Sequence, residues 1–448
     1  MRKPWMFSIL FALLMTGLGS TRAAAQVTQD PDVNLGGSPV NAIGRYRYPT
    51  GQVPQIAFLA IHRTSDYRNH ASALELPTRG FATLGIRTRF GSSDAAVNFE
   101  QIALDIRNGI RFLKSKGHTK IILVGHSGGG PSTSYYQAIQ ENGVSYCQGR
   151  KKLTQCPFTG AEFTPADKAD GIVFLDAHPG VGVNQLRSLN GSIVNEDQPF
   201  GPARNPTLDP FDPSHGYNED GDSHYSAKFV DKYSQAQARR MNGLIKEAQL
   251  IKKKIALGLI ETADPNDLTQ HPFPIYRANA RMVQLSTEVQ CCTEHPTRLL
   301  QDVTGTTTAP QIIHTVRVST PDIRDDDEDE NTFENLSITS FLSANAIQSK
   351  HSLDESKIDW CSTNNSTPCA VERIRVPTLV MAMQGHYFIR DGEFIYESAA
   401  SLDKEFLVVQ GATHGLGPCN SCPGAPYFNV RKNIFDYVAN WANKPGRF

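Results

Sequence analysis

The chain has 448 residues, 39% of them hydrophobic, enough to bury a core of native size in one large domain or two smaller ones. Its 44 Lys and Arg stand against 45 Asp and Glu, and the formal charge of -1 withholds electrostatic support from nucleic acid or an anionic membrane surface as partner. Past residue 25 no segment is long and apolar enough to cross a bilayer, so no stable membrane insertion is expected.

The N-terminus reads as a targeting signal. Arg2 and Lys3 precede an apolar run from Trp5 to Leu18, and Ala23-Ala24-Ala25 offers small residues for cleavage. Residues 1–25 are therefore expected to be a signal peptide, and the mature protein to be secreted or periplasmic. Residues 26–54 are polar and rich in Gly and Pro, an arm with one edge strand at most. Ile56 to Ile61 is a continuous apolar run, the mark of a strand buried on both faces, and Phe81 to Ile86 is a second. Phe99, Ile102, Ala103, Ile106, Ile110 and Leu113 recur at helical spacing, with Gly117 where a C-terminal cap belongs. Lys120 to Val124 is a third buried strand, a helix continues through Glu141, and Gly171 to Leu175 is a fourth strand. This alternation predicts a parallel sheet with helices on both faces.

The rhythm stops at Asp176 and resumes near Val376. The block between holds Pro- and Gly-rich loops and one long amphipathic helix from about Ser226 to Leu259. It also holds an acidic run, Asp325 to Glu330, read as a solvated loop with a calcium site as the sharper alternative. The sheet pattern returns at Thr378 to Met383 and Glu405 to Val409. A closing helix carries Val430, Ile434, Tyr437, Val438 and Trp441 on one face.

Gly125-His126-Ser127-Gly128-Gly129 matches G-x-S-x-G, with a buried strand entering and a helix leaving. A turn this sharp holds the serine in a strained backbone conformation, and the small flanking residues let neighbouring chain approach. A phosphate loop would carry Lys before a Ser or Thr where Pro131 stands, so Ser127 is the candidate nucleophile.

These residues and the strand order around them resemble the α/β-hydrolase superfamily, over Pro54 to Leu175 and Val376 to Trp441. The resemblance implies an α/β fold: a mostly parallel, eight-stranded sheet with helices on both faces and a large cap inserted after the sixth strand. Residues 26–176 and 376–448 would form the two parts of the core, and 177–375 the cap. It also implies a triad in the order Ser, acid, His. His414, among thirteen histidines, lies in the loop after the last strand where the superfamily places its base. The acid departs from the common pattern, because Gly385 is followed by His386, Tyr387 and Phe388. Asp176, at the end of the sixth strand, is favoured; Asp391 is the alternative, and Glu393 a further one. One oxyanion donor is expected from the backbone of Gly128, the other from Arg63 or Thr64 after Ile61. His62, His126, His178 and His386 are expected to support or line the pocket, and Arg63 to make a surface salt bridge.

Eight cysteines fit an oxidising compartment. Cys147 with Cys156 and Cys361 with Cys369 are the expected local disulfides; Cys419-x-x-Cys422 could be half a zinc site or a redox motif, but with no second CxxC or suitable His cluster a structural disulfide is favoured, and no metal site or cofactor is implied. The expected activity is hydrolysis of a small-molecule carboxylic ester. Amide, peptide or lactone hydrolysis by the same residues, or a non-catalytic binding role, are the alternatives; substrate identity and oligomeric state are not legible.

Overall fold

The computed structural model describes residues 25–448 apart from 197–202, 263, 266 and 329–332. The expected signal peptide, but for Ala25, lies outside the described residues.

Three strands form where a single edge strand was expected: β1 (Val27–Gln29), β2 (Val33–Gly36) and β3 (Ala42–Pro49). Charged residues hide β3 in the sequence. Arg47 is buried within it, and its guanidinium is satisfied by the Arg68 carbonyl at 2.6 Å and the Asn69 side chain at 2.7 Å. The apolar runs become strands as their patterning predicts: β4 (Ile56–Ile61), β5 (Ala82–Arg87), β6 (Lys120–His126) and β7 (Gly171–Leu175). After β7 come β8 (Pro272–Tyr276), β9 (Leu299–Gln301) and β10 (Phe333–Ser337), then β11 (Thr378–Met383) and β12 (Lys404–Val409).

The main sheet runs β1-β3-β5-β4-β6-β7-β11-β12-β9, with β2 on β3, so it has ten strands rather than the eight expected. The two additional strands are β2 and β9. β9 pairs parallel with β12 and covers what would otherwise be an open edge. From β5 onward the strands are parallel, while β1, β2 and β3 pair antiparallel. β8 and β10 form a separate two-stranded antiparallel sheet.

Helices cover both faces. α1 (Ile102–Ser115) and α2 (Gly129–Asn142) pack Ile106, Ile110, Tyr135 and Ile139 against Leu59, Leu123 and Phe174. On the opposite face Leu379, Met381 and Leu407 meet Ile434, Phe435, Val438 and Trp441 of the closing helix, Val430–Ala442.

Residues 177–375 bury a cluster of their own. α3 (Val181–Ser188) and the 30-residue α4 (Ala227–Ala256) bring Leu186, Met241, Leu244 and Ile245 onto Phe273, Leu336 and Phe341. α4 starts one residue after Ser226, whose Oγ accepts from the Phe229 N–H at 3.2 Å. The acidic run departs from a solvated loop: Arg324–Glu328 is a helical turn with Asp327 buried, because Asn190 donates to the Asp327 carboxylate at 2.7 Å. Its end, residues 329 and 330, lies outside the described residues.

The segment after β11 is a helix, α5 (Ile389–Ser398), with Asp391 in its first turn. The closing helix is α6. Disulfides join Cys147–Cys156, Cys361–Cys369 and Cys419–Cys422, and also the adjacent Cys291 and Cys292.

Candidate active site

β6 ends at His126, Ser127 turns the chain, and α2 begins at Gly129. Ser127 has φ of 55°, the left-handed region that L-residues seldom occupy. The turn survives because its neighbours lack side chains. A Cβ on Gly129 would lie 2.3 Å from the Ile61 carbonyl oxygen, and one on Gly125 2.5 Å from Thr133 Oγ1. The Ser127 carbonyl accepts from Gly130 N–H at 3.0 Å and from His178 N–H at 3.3 Å, which tie the elbow to the start of α2 and to the loop after β7.

That loop begins with Asp176, itself in the left-handed region at φ of 43° and fully buried. Its Oδ1 accepts from Met383 N–H at 3.1 Å, and its Oδ2 lies 2.6 Å from Nδ1 of His414. The His414 side chain is one-third exposed, at 33%. With Nδ1–H directed at a carboxylate, the Nε2 lone pair is left to accept a proton. Nδ1 of His386 stands 2.7 Å from the same Oδ2. Burial pushes the Asp176 carboxyl up, but the His386 and His414 imidazoles outweigh it and hold the group far below the usual carboxylate range.

Asp391 and Glu393 are engaged elsewhere. Asp391 sits in the first turn of α5 and takes the buried Arg187 guanidinium at 2.9 and 3.1 Å. Glu393 accepts from Arg298 at 2.6 Å and from the Glu294 and His295 N–H groups at 2.6 and 3.1 Å. Of the three carboxylates considered from sequence, Asp176 is the one hydrogen-bonded to His414.

A second set of histidines holds the other side of His414. Ser72 N–H donates to His70 Nδ1 at 3.2 Å, which places the His70 proton on Nε2, 3.1 Å from His126 Nδ1. The His126 proton is then on Nε2, which donates to the His414 carbonyl at 2.7 Å. The Tyr67 hydroxyl donates to the His126 carbonyl at 2.9 Å. Burial pushes His70 down to about 3 and His126 well below its ordinary value, so the relay is neutral. His70 was not singled out from sequence; nothing local marks it, since its partner lies 56 residues away.

The expected oxyanion donors separate. Thr64 N–H is taken by His62 Nδ1 at 3.1 Å, leaving the backbone of Arg63 as the other candidate beside Gly128. The Arg63 side chain pairs with Asp94, yet it is buried, not on the surface, so the expected salt bridge forms in a different setting. Glu334 on β10 lies near this pair. Burial pushes its carboxyl up to about 7, against the pull of Arg63.

Among the described residues two groups have metal-ligand composition: Asp176, His386 and His414, and Cys291, Cys292 and His314. The cysteines of the second are disulfide-bonded and offer no thiolate. In the first, Asp176 lies 2.6 Å from His414, with which it is hydrogen-bonded, and 2.7 Å from His386; ligands around a shared tetrahedral ion at about 2.0–2.2 Å stand farther apart. A cleft of about 680 Å³ opens among Asp222, Cys291, His314, Arg317 and Pro423, and neither Ser127 nor His414 lines it.

No protein-family model matches the chain, and no curated protein matches it in sequence. Solved structures similar to it include brefeldin A esterase, a bacterial homologue of human hormone-sensitive lipase, at 11% identity and TM-score 0.39, covering 97% of this chain and 77% of that one. Est1E from Butyrivibrio proteoclasticus aligns at 9% identity and TM-score 0.39, covering 92% and 98%. A bromoperoxidase from Bacillus anthracis aligns at 13% and 0.35, covering 92% and 99%. Antiparallel strands open the sheet, the parallel order β5-β4-β6-β7-β11-β12 follows, and the strained serine stands directly after β6. The chain has the fold of the α/β-hydrolase superfamily.

Proposed function

We propose that the chain is an exported serine hydrolase that cleaves carboxylic esters through Ser127, His414 and Asp176. The observation that carries this reading is the 2.6 Å hydrogen bond between Asp176 and His414, made on the loop that His126 ties to the elbow of Ser127. Asp176 orients the imidazole and stabilises the imidazolium that forms on proton transfer. His414 Nε2 takes the Ser127 Oγ proton as Oγ attacks the acyl carbon, then returns it to the departing alkoxide. Water repeats the sequence on the acyl-enzyme and releases the acid. The Gly128 N–H, at the start of α2, donates to the developing oxyanion. Four disulfides support export, since such bonds persist in oxidising compartments.

The test is Ser127→Ala in mature protein, assayed on nitrophenyl esters, with a fluorophosphonate probe on the unsubstituted chain. Loss of turnover with folding retained, and an adduct on Ser127, are the expected results. Undiminished turnover in Ser127→Ala, or no adduct, would overturn the assignment.

A further inference from the structure

Gly128 follows the proposed nucleophile, and its missing side chain leaves room for two imidazoles. A Cβ built there would stand 2.6 Å from Nε2 of His62 and 3.1 Å from Nε2 of His178. Any residue but glycine would therefore drive the His62 ring away from the elbow.

The His62 tautomer is set by its own loop. Nδ1 accepts from the backbone N–H of Thr64 at 3.1 Å and of Ser65 at 2.8 Å. The ring proton is then on Nε2, the atom that overhangs Gly128. Among the described residues that N–H has no hydrogen-bond acceptor, although His62 is more than nine-tenths buried. Burial first, then the Arg63 guanidinium and the His414 and His70 imidazoles, push its pKa down to about 3, so the ring stays neutral at working pH.

We propose that His62 is a catalytic residue: its Nε2–H is a side-chain donor to the oxyanion, beside the backbone N–H of Gly128. The inference rests on the serine-hydrolase reading. As the bond from Ser127 Oγ to the acyl carbon forms, the carbonyl π pair moves onto oxygen and the Oγ proton passes to His414. The charged oxygen is met by His62 Nε2–H, which keeps its proton throughout. Collapse restores the carbonyl and expels the alkoxide, which takes its proton from His414. A neutral imidazole suits the role because it donates a hydrogen bond without surrendering the proton. The same arrangement explains why Thr64 is not the donor: its N–H is spent on holding His62 in register.

Two substitutions separate donation from loop bracing. In His62→Asn the amide oxygen replaces Nδ1 as acceptor for Thr64 and Ser65, but nothing reaches Gly128. In His62→Gln the amide nitrogen stands near the Nε2 position, while the acceptor is lost. Donation predicts a fall in kcat of about 10²–10³-fold for His62→Asn with KM little changed, the size expected for one oxyanion donor, and a fall within about tenfold for His62→Gln. The opposite ranking, or wild-type kcat in His62→Asn, overturns the proposal. Should neither variant fold, the ring proton of His62 in the unsubstituted protein decides by nitrogen-15 NMR. A downfield shift of Nε2–H on formation of the phosphonate adduct supports donation; an unshifted signal, or a proton on Nδ1, overturns it. Ser127→Ala distinguishes the two failures. Turnover that survives Ser127→Ala sinks the hydrolase reading itself, whereas loss there with wild-type rates in His62→Asn sinks only the role of His62.

Discussion

Nε2 of His126 donates to the carbonyl oxygen of His414 across 2.7 Å, joining the residue before the proposed nucleophile to the backbone of the proposed base. Their rings lie 4.6 Å apart, centroid to centroid. His414 is thus held at two points, by Asp176 through its ring and by His126 through its main chain.

If this tether positions the base, His126→Phe removes the donor while keeping an aromatic ring. The expected outcome is a kcat lowered by about 10–100-fold with KM nearly unchanged, since small misplacement of a catalytic group costs rate before binding. Steady-state kinetics on a nitrophenyl ester, with thermal melting to verify the fold, checks it. Unchanged kcat in a folded variant refutes the positioning role.

The two aspartates weighed from sequence call for opposite phenotypes. Asp176→Asn removes the carboxylate that sets the His414 tautomer, and kcat is expected to fall by about 10³–10⁴-fold. Asp391→Asn leaves Arg187 buried without its partner, which costs about 3–5 kcal/mol of stability. Kinetics and urea denaturation of both variants separate them. A catalytic collapse confined to Asp391→Asn would move the acid to α5.

Acid should unfold the protein early. His62 and His70 are pushed down to about 3, and His126 and His178 lie well below their ordinary value, in each case chiefly by burial. Unfolded, such rings take up protons near pH 6.5, so the unfolded chain binds more protons below that value. This contribution to stability is complete above pH 6.5 and is lost as pH falls toward 3. Each ring adds up to about 1.4 kcal/mol per pH unit to the slope. His178→Leu removes one ring, and urea midpoints between pH 7 and 5 should fall less steeply in it. An unaltered slope would contradict the neutral burial of His178.

Glu334 works in the other direction. Its carboxyl is raised from 4.5 to about 7, burial being the main cause. The folded state then holds a proton that the unfolded state releases, so this stability is complete below pH 4.5 and lost as pH rises to about 7. The size is on the order of 3 kcal/mol. Glu334→Gln abolishes the titration, and its melting temperature relative to the unsubstituted protein should be higher at pH 8 than at pH 4. A pH-independent difference would refute a protonated Glu334.

The elbow and the central strands were legible because their causes are local. Strands buried on both faces are written as continuous apolar runs, as in Ile56–Ile61 and Gly171–Leu175. The strained turn at Ser127 needs glycines within two positions of it, so the motif and the backbone conformation are one fact. β3 escaped notice because Arg45 and Arg47 break its apolar alternation, and β9 because three residues carry no period.

What the sequence by itself determined was the succession of the central apolar strands along the chain, the strand-to-helix turn at Ser127, and a histidine in the loop after the last of those strands. Only the tertiary structure decided which carboxylate meets that histidine. Asp176, Asp391 and Glu393 are all plausible by position, and they differ in which arginine or imidazole the fold delivers to them from as far as 238 residues away. The same holds for His70 and His62: hydrogen bonding fixes their tautomers and burial keeps them neutral, and neither condition is visible until distant segments pack together.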